Sequence, residues 1–225
     1  MTEPVSSQDL LRWAEALAGI AQTGLAFSEV QFERDRYQEV INVAAEIKSR
    51  ASADRVHEAA EFHEEWMTSV RTGLAGYATP KVAVGAVVGN DDGELLMIQR
   101  ADSGIWLYVT GWADIGYSPS EVAEKEVLEE TGIECQAIRP LGIYDGLRLG
   151  FTTIPLYSIV FQCRATGGAL NPDPSEVTDV GWFTPENLPS PIASSERWID
   201  LAFQAVRNEP IDVYFDPPRP EVWKS

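Results

Sequence analysis

The chain is poor in the residues that most often announce a chemistry. It holds two cysteines, Cys135 and Cys163, and two histidines, His57 and His63, in 225 residues. Two thiols so far apart in sequence supply neither a disulfide framework nor a zinc site. Both fall in apolar, strand-like runs, where buried free thiols are expected. The histidines stand six residues apart, on different faces of a helix, so they cannot share a metal. No other histidine is left to act as a base. Basic residues are scarce too: 17 Lys and Arg face 35 Asp and Glu, for a net charge of −18. A protein that grips a nucleic-acid backbone presents a basic surface, so general DNA or RNA binding is disfavoured. The same charge admits a small phosphorylated substrate if a bound cation supplies the positive centre. No apolar run reaches membrane-spanning length, and the first residues lack a basic stretch followed by an apolar core. No membrane association is expected, and a reducing cytoplasm is the expected location.

One stretch is densely written, from Trp106 to Ile133. Its second half predicts a short helix. Ser118 serves as N-cap, Pro119 takes the first helical position and Glu121 completes a capping box. Gly132 ends the helix in the left-handed conformation. Glu126, Glu129 and Glu130 share one helical face. Three carboxylates on one face repel each other. They are either a solvated surface or the oxygen ligands of a hard divalent cation, which keeps several waters and needs only a few carboxylates besides substrate phosphates. The glycine-containing loop read before the helix favours the cation, because Gly111 lets backbone come close to a metal or phosphate.

These residues resemble the signature of the Nudix hydrolases. That signature runs Gly, five residues, Glu, seven residues, Arg-Glu, an apolar residue, any residue, Glu-Glu, any residue, Gly, an apolar residue. Here Gly111, Tyr117, Lys125-Glu126, Val127, Glu129-Glu130, Gly132 and Ile133 keep the register. Tyr117 replaces the first Glu and Lys125 the Arg, a pair that commonly braces the loop against the helix in the family. The run from Gly111 to Gly132 is similar to a subgroup with a helical N-terminal extension, whose members include CDP-choline and ADP-ribose pyrophosphatases. Tyr77-Ala-Thr-Pro-Lys-Val82 at the junction fits that subgroup as well. Val109-Thr110 stand where the subgroup has Pro-Gly, and Ala83 and Gly85 where it often has Asp and Arg.

Along the chain, residues 7 to about 72 predict three amphipathic helices. Leu10, Trp13, Ala14, Leu17 and Ala21 mark the first, and Tyr37, Val40, Ile41, Ala44 and Ile47 the second, after a Ser28 cap. Ser52 is read as the cap of a third helix bearing Val56, Phe62, Trp66 and Val70. So much apolar surface must pack on itself, on the rest of the chain or on a second subunit, and a homodimer contact is favoured. Val82 to Val88 and Leu95 to Ile98 predict a hairpin around Asn90-Asp91-Asp92-Gly93. Strands are expected at Ala137–Tyr144, Ile154–Arg164 and Val180–Phe183, with Gly167-Gly168 breaking the pattern. A helix follows from Glu196 to Val206, capped by Ser194 or Ser195, and then an extended tail. Pattern alone gives α/β with a mixed sheet between helices. The resemblance implies the Nudix alpha/beta/alpha sandwich, preceded by an N-terminal helical domain. The expected domains are 1–76, helical and dimer-forming, 77–208, catalytic, and 209–225, the tail.

The implied function is a pyrophosphohydrolase of a nucleoside diphosphate linked to another moiety. CDP-choline leads and ADP-ribose is the alternative. A catalytically weak Nudix-fold binding or regulatory protein is a third reading. Glu126, Glu129, Glu130 and the Gly111 carbonyl are expected to hold Mg²⁺ or Mn²⁺. Glu129 or Glu176 is the expected base, with Glu129 and Glu130 in the catalytic set. Glu176 reads equally well as an exposed loop acid. Arg100, Trp112, Asp114 and Lys125 are candidate substrate contacts: a phosphate for Arg100 or Lys125, a stacked base for Trp112, a base amino group for Asp114. Packing, surface and bracing roles stand beside each of these.

Overall fold

The computed structural model describes residues 5–52, 58–72, 79–114, 116–193 and 196–218. They fall into two compact units. One combines the described part of Met1–Lys81 with Asp145–Leu156, and the other takes Val82–Tyr144 and Tyr157 onward.

The first unit is built on α1 (Ser7–Phe27), α2 (Gln31–Ala51) and α3 (Ala59–Thr72). Ser6 caps α1 in a box with Asp9. Ala14, Ala18 and Ala21 on α1 and Ala44 and Ala45 on α2 are buried, and such small side chains let two helices approach closely. Phe62, Trp66 and Met67 of α3 complete the core. The Lys48 ammonium lies inside this unit, paired with Glu15 and 4.7 and 5.2 Å from the ring centres of Phe62 and Trp66. Two expected caps are corrected. Ser28 ends α1, its N–H donating to Gly24 O, and the N-cap of α2 is Val30, which makes no side-chain bond. Ser52 ends α2, and α3 begins at Ala59. Each serine closes its helix through its backbone N–H, which nearly any residue supplies, so a serine alone does not say which end it marks. His63 lies on α3, whereas Val56 and His57 lie outside the described residues.

The second unit is a mixed sheet between helices. Its strands are β1 (Lys81–Gly89), β2 (Leu95–Arg100), β3 (Trp106–Leu107), β4 (Val109–Trp112), β5 (Ile133–Asp145), β6 (Leu156–Gly168), β7 (Val177–Phe183) and β8 (Tyr214–Phe215). The order is β3-β2-β1-β6-β5-β8, with β4 pairing β1 and β7 pairing β2. Strands buried on both faces read as continuous apolar runs, as β1 and β2 do. Val84, Ala86, Val88, Leu96 and Ile98 point to one core, closed by Val122, Ala123 and Val127 of α4 (Pro119–Thr131). Val87, Leu95 and Met97 point to the other. The segment between β5 and β6 belongs to the helical unit and carries α5 (Gly146–Leu149), where Gln8 Nε2 donates to Leu147 O at 2.8 Å. Ala202, Phe203 and Ala205 of α6 (Glu196–Val206) close the second face of the sheet. The alpha/beta/alpha expectation and the helical region before it hold.

Several boundaries differ from the sequence reading. The stretch before α4 is strand through Trp112, so Gly111 lies in β4 and not in a loop. β6 runs through Gly167 and Gly168 instead of breaking there. The tail supplies an edge strand, β8, parallel to β5, and Tyr214 stacks on Tyr144 with ring centres 4.7 Å apart. The expected caps Ser194 and Ser195 lie outside the described residues. The two thiols, distant in sequence, come close enough in space to influence each other: Cys163 is buried, its Sγ donating to Phe161 O at 4.0 Å, and both are free. Among the described residues no helix is long and apolar enough to cross a membrane.

Candidate active site

The site is assembled on α4. Ser118 Oγ accepts from the Glu121 N–H, and the Glu121 carboxylate accepts from the Ser118 N–H at 2.6 Å. Gly132 ends the helix at φ +74°. With both ends fixed and Val122, Ala123 and Val127 seated on the sheet, the glutamates are carried at set heights. Glu126 leans on β4. A Cβ at position 111 would lie 2.2 Å from its Cδ, so only glycine leaves room for this carboxylate. Glu130 is 4% exposed, and its Oε2 has no hydrogen-bond partner.

Glu176 comes from the opposite direction. The loop after β6 folds over the end of α4, where helix carbonyls lack intrahelical donors. Asn171 N donates to Thr131 O at 2.8 Å and Asp173 N to Glu130 O at 3.3 Å. Asp173 then turns the chain: its carboxylate accepts from the N–H and hydroxyl of Ser175, and its carbonyl from the N–H groups of Glu176 and Val177. The Glu176 carbonyl accepts from Ala101 N at 2.8 Å, which ties this loop to the end of β2. The Glu176 carboxylate is thereby brought close enough to Glu130 for its charge to disfavour ionisation there. Gly168 makes the fold-over possible. It sits at φ +86°, and a Cβ there would lie 2.3 Å from the Gly132 carbonyl oxygen. Gly168→Ala is therefore expected to lower the melting temperature by several degrees and to reduce turnover, read by calorimetry and a rate assay.

The electrostatics follow from crowding. Burial first, then the charges of Glu126 and Glu176, push the Glu130 carboxyl up to about 8. Glu126 is raised in the same direction, mainly by burial. Arg100 opposes this for Glu130, and is itself held by two bonds to Asp102, at 3.0 and 2.7 Å. That partner holds the Asp102 carboxyl down at about 2.

The predicted residues do not all converge. Glu126, Glu130, Glu176 and Arg100 do. Glu129 is turned to Lys125, 3.0 Å away, and is mostly exposed. Lys125 also lies 3.0 Å from Asp114 and 3.9 Å from Glu126. Those contacts, the hydrogen bonds to Asp114 and Glu129 foremost, raise its pKa. Asp114 is thus engaged by Lys125. Trp112 and Tyr117 are each 54% exposed. Among the described residues no three His, Cys, Asp or Glu side chains are already gathered as metal ligands. The donor set nonetheless fits a hard cation: a buried carboxylate oxygen lacks a partner, a second carboxylate sits in a cradle that a Cβ would fill, and all the donors are oxygen.

Sequence reasoning missed Asp102 and Asp173. Asp173-Pro174-Ser175 is an Asx-turn pattern that could have shown the second. The substitutions Ala83, Gly85, Val109 and Thr110 meet in one strand pair, Gly85 facing Thr110 and Ala86 facing Val109. Gly85 makes room for Tyr108, whose ring edge a Cβ would meet at 2.6 Å. That ring packs edge-on against Trp198.

An alpha/beta/alpha sandwich with an acidic cluster on the capped helix beneath a glycine strand defines a class of phosphate-handling hydrolases. Residues 79–202 match the NUDIX domain, and the chain belongs to the Nudix hydrolase family. Residues 8–62 match the UDP-X-like, N-terminal oligomerisation domain. YjhB of Bacillus subtilis, provisionally described as an ADP-ribose pyrophosphatase, is 28% identical over 92% of this chain and 96% of its own. A solved UDP-X diphosphatase shares the fold, with a TM-score of 0.54 at 24% identity over 93% of this chain and 99% of its own. An ADP-ribose pyrophosphatase from Streptococcus suis gives 0.54 at 29% identity, covering 61% of this chain and all of that one.

Proposed function

We propose that the chain is a divalent-metal-dependent pyrophosphohydrolase that cleaves a nucleoside diphosphate linked to a second moiety. The observation that carries this is Glu130: a buried carboxylate with an unpartnered oxygen, set between Glu126 and Glu176. Within the substrate class ADP-ribose comes first, because two of the similar proteins bear that activity in their names. CDP-choline, the leading expectation from sequence, ranks behind it.

Glu126, Glu130 and the Gly111 carbonyl would hold Mg²⁺ or Mn²⁺, and Glu129 would join them on leaving Lys125. When bound, such an ion neutralises phosphate oxygens and acidifies a bound water. Glu176 is the leading base: its charge acts on Glu130, its side chain is exposed and its backbone is fixed by bonds on both sides. Arg100, oriented by Asp102, offers its remaining N–H donors to a phosphate. Glu176→Gln is expected to lower kcat about a hundredfold or more, and a rate within about threefold of wild type would remove Glu176 from this role. The reading as a whole is tested by product chromatography on a panel of ADP-ribose, CDP-choline, UDP-linked sugars, nucleoside triphosphates and a short RNA at millimolar Mg²⁺. One nucleoside diphosphate derivative turned over and silenced by chelator supports it; no turnover on the panel contradicts it and favours a binding role.

The helices of residues 1–76 are assigned to homodimer formation, residues 77–208 to catalysis and 209–225 to the tail. The oligomerisation-domain match and the exposed Ile20, Phe27, Val30 and Phe32 support a dimer.

A further inference from the structure

We propose that Asp114 is a positioning residue: its carboxylate holds the Lys125 ammonium and so fixes the described residues between β4 and α4, 113, 114 and 116–118, against the helix face that carries Glu126 and Glu129. The inference rests on the hydrolase reading for its kinetic part only.

Lys125 reaches three acids, and two of them, Glu126 and Glu129, share its helix. Only Asp114 comes from outside α4, at 3.0 Å. Two backbone contacts bound the segment. Ala113 N donates to Val82 O at 3.0 Å upstream, and the Ser118–Glu121 capping box closes it downstream. Between them, among the described residues, the Asp114–Lys125 pair is the side-chain tie to α4. Tyr117 holds the place where the family signature has an acid, and its ring is turned to solvent. Asp114, three residues earlier, supplies that acid instead. The tie has two effects. It holds the end of β4 at its distance from α4, and Gly111 in that strand contacts Glu126. It also gives the ammonium a third anion, so Glu126 and Glu129 share it with a residue that is no part of the proposed ligand set.

This role and the substrate contact read from sequence separate experimentally. Losing a contact made equally in the ground and transition states raises KM alone, whereas a positioning loss lowers kcat. Asp114→Asn is expected to lower kcat roughly tenfold with KM nearly unchanged, and Asp114→Glu to restore most of the loss. In the metal-free protein, hydrogen exchange of peptides spanning residues 109–118 reads the tie without any turnover. Asp114→Asn and Lys125→Met are each expected to speed that exchange, and the double variant no further, because both remove one interaction. A higher KM at unchanged kcat, or unchanged exchange in Asp114→Asn, overturns the proposal. If the wild-type protein hydrolyses nothing on the panel the hydrolase reading falls, and the exchange measurement still decides the tie.

Discussion

Gly111→Ala is expected to fold normally and to lose most of its turnover. The position lies in regular strand, so alanine meets no backbone strain and removes some freedom from the unfolded chain. The new Cβ collides instead with the Glu126 carboxylate, at 2.2 Å from Cδ and 2.3 Å from Oε2. Those atoms end a flexible side chain, so the collision is relieved by turning Glu126 aside, not by moving the sheet. A displacement of about 1 Å in a reacting assembly costs on the order of a hundredfold in rate. Thermal unfolding should stay within about 1 kcal/mol of wild type, while kcat falls by that factor. Equal activity in the two proteins would mean that the Glu126 position seen here has no part in the reaction.

Glu130→Gln is expected to abolish turnover and yet to stabilise the metal-free protein at alkaline pH. Loss of one cation-holding carboxylate removes about 3 kcal/mol or more of transition-state stabilisation, roughly a hundredfold or more in rate. The stability argument follows from its surroundings. The carboxyl titrates near 4.5 when unfolded and at about 8 in the fold, because burial and two neighbouring carboxylates disfavour its charge. Below about pH 4.5 it is neutral in both states and costs nothing. As pH rises toward 8 the unfolded chain ionises first, so the fold loses stability through this group; above that the loss is complete. Glutamine cannot ionise and removes the penalty. The variant should exceed wild type by roughly 1–3 kcal/mol near pH 8.5 and match it most closely near pH 4.5, measured by chelator-treated denaturation at both pH values. A variant less stable than wild type at high pH would mean that Glu130 has a partner in the free protein.

How much of this was legible in the sequence follows from how local each feature is. The helix bearing the glutamates was readable because Ser118, Pro119, Glu121 and Gly132 signal its ends within one turn of each. The two-sided burial of β1 and β2 was readable from unbroken apolar runs. β4 was not, because a strand of four residues owes its existence to pairing with Ala83–Ala86, far back in the chain. The placement of Glu176 was legible only as an option. Backbone donors of Asn171 and Asp173 deliver it onto the end of α4, and backbone groups leave no residue-type signal. Lys125 was legible as a possible brace, but the acid it meets was hidden, since an acid at 114 looks the same in sequence whether it meets a base or an ammonium. The meeting of Cys135 and Cys163 depends on strand order, which a pattern of apolar residues does not encode.

The central claim is that Glu130, with Glu126, holds the divalent cation. It is tested most directly by titrating Mn²⁺ into the substrate-free protein and reading the unbound ion by electron paramagnetic resonance, for wild type and Glu130→Gln side by side. Saturable binding by the wild-type protein, weakened at least about tenfold in the variant, is the predicted result. Equal affinity in the two proteins would contradict the assignment and place the cation elsewhere.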